Sequence, residues 1–239
     1  MNPWHRQFLK VGSGPKGEDG QGVKRPFTDD EAKKLLTGIT KQPLADMCLM
    51  AALSGCRITE LADLKVRHVT LQTTEKGQNA SFFRVVTGKT DAAARTIPVH
   101  SLLHDLLSKR CANKKPDQFV FQELPEQTSA ARKRSAPVSQ AFVRERRELG
   151  VDDLLPGVRQ SRVDFHSWRR WFIRKAVEAL EQGATGFTAW TIADVVGHSK
   201  EDGPLPMTMG RYPGAAGQEA LRACVEAVRP PKEKPKAST

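Results

Sequence analysis

The chain has one tyrosine, Tyr212, in 239 residues. A phenol is thus no recurring packing element here, and its single occurrence is a place to look for chemistry. Cysteine is also sparse. Cys48, Cys56, Cys111 and Cys224 lie far apart and form no CxxC, which argues against a disulfide framework and a cysteine-based zinc site. Cys48, Cys56 and Cys224 fall in apolar-periodic stretches and read as buried thiols. No apolar run approaches the roughly 18–20 residues that span a bilayer. The opening MNPWHRQFLK lacks the apolar stretch of a signal peptide. A soluble, cytoplasmic, nucleoid-associated protein with no membrane partner is expected. Acidic residues are in deficit: 27 Asp and Glu face 38 Lys and Arg, a formal net charge of +11. That surplus favours a polyanionic partner, nucleic acid first. His100 and His104 have the i,i+4 spacing of a metal pair, but no third ligand lies near, so they read as helix residues. No metal and no cofactor is expected.

What is present divides the chain in three. Residues 1–25, rich in Gly, Lys and Pro, read as a flexible linker of the interdomain type. Residues 26–229 carry the patterns of a folded domain, and 230–239 read as a disordered tail. Thr28 followed by acids marks a helix start. A second, apolar helix is expected over about 43–53 with a stop at Gly55, then a turn or two over 58–64. Three β signals follow at 66–72, 81–87 and 95–99, rich in β-branched and aromatic residues. Helical spacing returns at 100–110, residues 118–121 make a short extended piece, and 122–136 read as an exposed basic loop. Further helices are expected over 138–149, over about 166–182 with Asp164 as cap, over 188–197 and over 215–228. Phe165, Trp168, Phe172, Ala176 and Ala179 mark the buried stripe of the 166–182 helix. The sum is a mainly α (α+β) fold with a small three-stranded antiparallel sheet.

Six polar groups stand out in this frame. Arg57 follows the Gly55 stop in SGCRITELADLK, where the break aims it off a helix start. A surface pair with Glu60 is the plainer reading, and Glu60 buttresses Arg57 or a neighbour in both. Lys89, in VVTGKTDAAARTIPV, lies at a tight turn between two strands, from which a long side chain can reach a groove; a solvated turn lysine is the alternative. His166 and Arg169 form His-x-x-Arg near a helix start. Three-residue spacing puts both on one face, and the helix N-terminus adds partial positive charge useful beside a phosphate. A structural histidine is the alternative. His198 follows Gly197 and can donate to a phosphate oxygen or complement the helix dipole. Tyr212 lies in MGRYPG between Gly210 and Gly214, a loop that can present a phenol. Each group is weak alone, but their order is informative. A phenol can attack a phosphodiester and hold the strand as an ester. Two arginines can clamp the non-bridging oxygens, and His and Lys can move protons.

These segments resemble a known family. SGCRITELADLK is similar to the first-arginine box of the tyrosine recombinases (phage integrases), and VVTGKTDAAARTIPV to their β-hairpin lysine box. FHSWRRWF is similar to their His-x-x-Arg box, and VVGHS followed by GRYPG to their last two elements. The resemblance runs from about Arg25 to Val228 and points to the C-terminal catalytic domain. It implies DNA recombination and integration of a mobile genetic element, without metal or ATP, on double-stranded DNA as a homotetramer, with a monomer in isolation as the alternative. It assigns catalysis to Arg57, Lys89, His166, Arg169, His198 and the nucleophile Tyr212. Arg57 and Arg169 would bind the scissile phosphate with His198, His166 would help deprotonate the phenol, and Lys89 would protonate the leaving 5′-oxygen. Two departures stand out. The His198–Tyr212 interval, 212 − 198 = 14 residues, is longer than usual through the insertion KEDGPLPM, and Arg170 stands where many relatives carry His. The family's N-terminal core-binding domain has no counterpart, and NPWHRQFLK resembles an interdomain linker, so a truncated catalytic fragment is expected. ARKRS (131–135) and RERR (144–147) are candidate phosphate contacts, or solvated faces. The last helix either docks on a neighbouring protomer or packs on its own domain. A type IB topoisomerase-like enzyme and a non-catalytic DNA-binding module are the alternative functions.

Overall fold

The computed structural model describes residues 24–75, 77, 79–86, 95–127, 133–197 and 216–231. Helix α1 (Asp29–Gly38) starts where its capping box dictates: Thr28 Oγ accepts from the Glu31 N–H, and the Glu31 carboxylate accepts from the Thr28 N–H. Helix α2 (Leu44–Ser54) is apolar on nearly every face, so it must run through the middle of the domain, and most of it is fully buried. It stops at Gly55, which takes the left-handed conformation at φ +66°. Helix α3 (Ile58–Ala62) begins three residues later. Strands β1 (Val69–Thr70), β2 (Phe82–Val85) and β3 (Arg95–Pro98) form one antiparallel sheet in that order, with Val69 opposite Phe83 and Val85 opposite Arg95. The first strand is shorter than its β-branched pattern suggests. The N–H groups of Val66 and Arg67 donate to the carbonyls of Gln118 and Pro116, which draws residues 66–68 into a 3₁₀ turn.

Helices α4 (His104–Cys111), α5 (Ala136–Glu148), α6 (Ser167–Glu181), α7 (Ala189–Val196) and α8 (Gln218–Ala227) complete the described fold, which is mainly α with one small sheet. Helix α6 packs along α2. Its expected stripe is buried at Phe165, Trp168, Phe172 and Ala176, and Trp171 and Ile173 widen it. The added width exists because α6 has a second neighbour: Trp171 Nε1 donates to Asp29 of α1 at 3.0 Å. Edge-to-face contacts join Phe27 to Trp168 at 4.8 Å and Phe142 to Phe165 at 5.2 Å. Helix α8 packs on its own domain, against α7, β3 and α6, and buries Leu221, Cys224 and Val225. Cys48, Cys56 and Cys224 are buried free thiols, as expected.

Several expectations need correction. Asp164 does not cap α6: His166 holds the N-cap position, and the Asp164 carboxylate turns to Lys24 at 3.3 Å and Arg170 at 3.4 Å. His100 is not helical. It precedes a 3₁₀ turn, its Nδ1 accepts from the Leu102 N–H and its Nε2–H donates to the Val228 carbonyl, both at 3.0 Å. Both ring nitrogens are thus in use, and among the described residues no group of His, Cys, Asp or Glu could hold a metal ion. The 122–136 stretch is not simply an exposed basic loop. Arg134 is 3% exposed, stacks over Phe119 at 3.6 Å and donates to the carbonyls of Ala62, Phe121, Leu124 and Pro125. In RERR, Arg146 is buried against Asp152 and the Val151 carbonyl, so only Arg144 and Arg147 face outward. Lys24 and Arg25, at the end of the expected linker, are fastened to the domain: Lys24 Nζ donates to the Ser161 carbonyl at 2.7 Å and Arg25 binds Glu31 and Asp153. Among the described residues no helix is long and apolar enough to cross a membrane.

Candidate active site

The left-handed turn at Gly55 brings three helix ends together. A Cβ at this position would lie 2.9 Å from Phe172 of α6 and from Val196 of α7, so glycine is required by contact as well as by φ. Two residues later Arg57 takes the N-cap position of α3, and its side chain is 40% exposed. Glu60 holds it there. The carboxylate accepts from the Arg57 backbone N–H at 2.8 Å and from Arg57 Nη1 at 2.7 Å. Arg95, at the start of β3, grips the same carboxylate with both terminal nitrogens at 3.0 and 2.8 Å. The Glu60 side chain is only 2% exposed. Burial alone would raise its pKa, but the Arg95 fork and the Arg57 bonds overcome it and hold the carboxyl down at about 2.

Arg169 lies one turn into α6 and is 1% exposed. Its Nη1 donates to the Gly55 carbonyl at 2.9 Å and its Nη2 to the Val196 carbonyl, so it spans the end of α2 and the end of α7. Among the described residues its Nε is buried without a hydrogen-bond partner. Burial, and then the positive charges of Arg57 and Arg95, push its pKa down to about 9, which leaves it protonated at neutral pH. His166 is half-buried at the start of the same helix. Burial, then Arg170, Arg169 and Arg57, push its pKa down to about 4, so at neutral pH it is an uncharged imidazole that accepts a hydrogen bond but is a weak base. Among the described residues the spot gathers Arg57, Arg95 and Arg169 around one buried carboxylate, Glu60, while Asp164 faces Arg170 at the start of α6. An anion with several oxygens fits that electrostatic setting.

The integrase from mycobacterium phage Brujita superposes on 95% of this chain with a TM-score of 0.57 at 20% sequence identity. The chain has the fold of the tyrosine recombinases. The XerH site-specific recombinase, in a post-cleavage complex with palindromic difH substrate, matches 92% of the chain at TM-score 0.50 and 15% identity. The XerA recombinase matches 78% at TM-score 0.47 and 20% identity. The chain spans 65%, 55% and 58% of the lengths of these three proteins. No protein-family model and no curated protein sequence matches it.

Within this tyrosine-recombinase fold, three of the six residues singled out from the sequence, Arg57, His166 and Arg169, are drawn to the junction of α2, α3, α6 and α7. Lys89, His198 and Tyr212 lie outside the described residues. Sequence reasoning named Glu60 as the partner of Arg57 and missed Arg95 altogether. One signal could have found it: a carboxylate in the apolar helix ITELA, once buried, needs more donors than Arg57 alone supplies.

Proposed function

We propose that this chain is the catalytic part of a site-specific DNA recombinase that cuts and rejoins strands through a 3′-phosphotyrosyl intermediate. The observation that carries the proposal is the junction itself: a half-exposed Arg57, a buried Arg169 and a neutral His166 converge on one point of a tyrosine-recombinase fold. Arg57 and Arg169 hold the non-bridging oxygens of the scissile phosphate and stabilise the extra charge of the five-coordinate transition state. His198 adds a third donor. The Tyr212 oxygen bonds to phosphorus, and the bond from phosphorus to the 5′-oxygen breaks. His166 helps deprotonate the phenol or orients it; its uncharged state at neutral pH lets it accept a hydrogen bond from the phenol, and its low pKa favours the orienting role. Lys89 gives a proton to the departing 5′-oxygen. The phosphotyrosyl ester keeps the bond energy, so a 5′-hydroxyl from another strand can reverse the step without ATP. Exchange between two duplexes uses four such cuts, hence the expectation of a homotetramer on double-stranded DNA.

Covalent trapping tests the proposal. The chain and its Tyr212→Phe variant are incubated with fragmented DNA from the source genome, and denaturant-stable adducts are recovered and their joined ends sequenced. The expected result is adducts at one inverted-repeat site, absent from the phenylalanine variant. Adducts scattered without site preference would favour the topoisomerase-like reading. Binding at low salt with no adduct from either protein would favour the non-catalytic module.

A further inference from the structure

Arg95 lies half-buried beside the proposed clamp. Its side chain is 13% exposed, and three of its nitrogens are engaged. Nη1 and Nη2 bind Glu60 Oε1 and Oε2, and Nε donates to the Val195 carbonyl at 2.9 Å. Each Glu60 oxygen therefore accepts twice. Oε1 takes Nη1 of Arg57 and Nη1 of Arg95, and Oε2 takes the Arg57 backbone N–H and Nη2 of Arg95. All the acceptor positions of the carboxylate are filled. The charges are as informative as the bonds. Arg57 and Glu60 alone would cancel, and a phosphate reaching Arg57 would meet a carboxylate 2.7 Å from the same guanidinium. With Arg95 in place, the group Arg57, Arg95, Arg169 and Glu60 sums to +2; without it the sum is +1.

We propose that Arg95 is a positioning residue that neutralises Glu60, so that the carboxylate orients Arg57 without cancelling the charge Arg57 offers to a phosphate. The proposal rests on reading Arg57 and Arg169 as the phosphate clamp. The geometry supports it in a second way. Arg95 opens β3, directly after the segment that carries Lys89, and its Nε holds the end of α7 next to the Val196 carbonyl that receives Arg169. Gly197 leaves it room: a Cβ there would lie 3.0 Å from Arg95 Cδ and Nη1. One guanidinium thus ties the Arg57 helix, the start of β3 and the end of α7.

The test uses the full chain and inorganic phosphate as the probe, with binding followed at the arginine Nε–Hε resonances. Variants are Arg95→Gln, Glu60→Gln and the double Arg95→Gln/Glu60→Gln, each checked for folding by thermal unfolding. Removing one charge at this range should weaken phosphate binding by about tenfold in Arg95→Gln. The double variant restores the +2 sum and should return to within about threefold of the wild type, since the arginines are then unopposed. Should Arg95→Gln not fold, the double variant is judged against the wild type, because it leaves no uncompensated buried carboxylate; phosphate binding about tenfold weaker than the wild type would then overturn the proposal. Three results would overturn the proposal: wild-type affinity in Arg95→Gln, a double variant that binds as weakly as the single one, or phosphate that moves neither Arg57 nor Arg169 in the wild type. The two readings separate cleanly. Phosphate binding in the expected pattern with no DNA adduct would sink the recombinase and leave the charge role of Arg95 standing. Adducts without rescue in the double variant would sink the role of Arg95 alone.

Discussion

His166 shows how the surroundings of one side chain set its chemistry. Burial and three arginines lower its pKa from the ordinary 6.5 to about 4, so it resists protonation where a free imidazole would not. The unfolded chain then binds one more proton than the folded one between those two values. The stability due to this group is therefore complete above about 6.5 and is lost as pH falls towards 4. Glu60 adds to the loss only lower down, between its ordinary 4.5 and about 2, as its carboxylate is protonated. An NMR titration should put the His166 midpoint near 4, and adduct formation should stay level from pH 7 to about 5.5 before it drops. A midpoint near 6.5 would mean that the imidazole is solvated and that the arginines do not converge on it. This part of the site was half legible in the sequence. Arg57 and Glu60 are three residues apart on one helix turn, a local relation that spacing reveals. Arg95 is 35 residues from Glu60 in the chain, and only the sheet brings it close.

At the scale of elements, helix ends were legible because caps are local. Thr28, Gly55 and Gly197 each stop or start a helix with atoms from within four residues. Strand lengths were less legible. Residues 66–68 carry the right side chains for a strand, but the segment near 118 takes their N–H groups. The last helix is decided by what it covers. Leu221, Cys224 and Val225 face the domain, Arg222 donates to the Ser81 carbonyl at 3.1 Å, and Glu226 accepts from the Ser101 N–H at 2.7 Å. Packing of this kind makes α8 part of its own fold. Leu221→Ala should cost about 2–5 kcal/mol in denaturant unfolding, with the same shift at every protein concentration. A cost that grows with protein concentration would instead show that the helix contributes to a contact between copies of the chain.

For the molecule as a whole, a formal net charge of +11 draws it towards nucleic acid, yet the sum does not say which cations do the work. Burial sorts them. ARKRS and RERR look alike as strings, but Arg134 and Arg146 are buried against carbonyls and, for Arg146, the Asp152 carboxylate, while Arg144 and Arg147 are exposed and Arg147 only flanks Asp152 at 3.6 Å. No pattern of charge along the chain separates these two groups, because the carbonyls that Arg134 binds come from Ala62 and from the 121–125 turn. The distinction has a measurable consequence for duplex binding. Each phosphate neutralised adds a slope of about −0.9 to log affinity against log salt, or a loss of three- to fourfold between 50 and 200 mM. Arg144→Ala and Arg147→Ala should each make that slope shallower by about 0.9 on a mixed-sequence duplex while leaving stability within about 0.5 kcal/mol. Arg134→Ala should do the reverse, with an unchanged slope and a loss of about 2–4 kcal/mol, as the carbonyls of Ala62, Leu124 and Pro125 lose this donor and that of Phe121 keeps only the Leu124 N–H. A slope that Arg144→Ala leaves unchanged would remove the outer face of α5 from the DNA surface and leave the junction of Arg57 and Arg169 as the proposed phosphate contact.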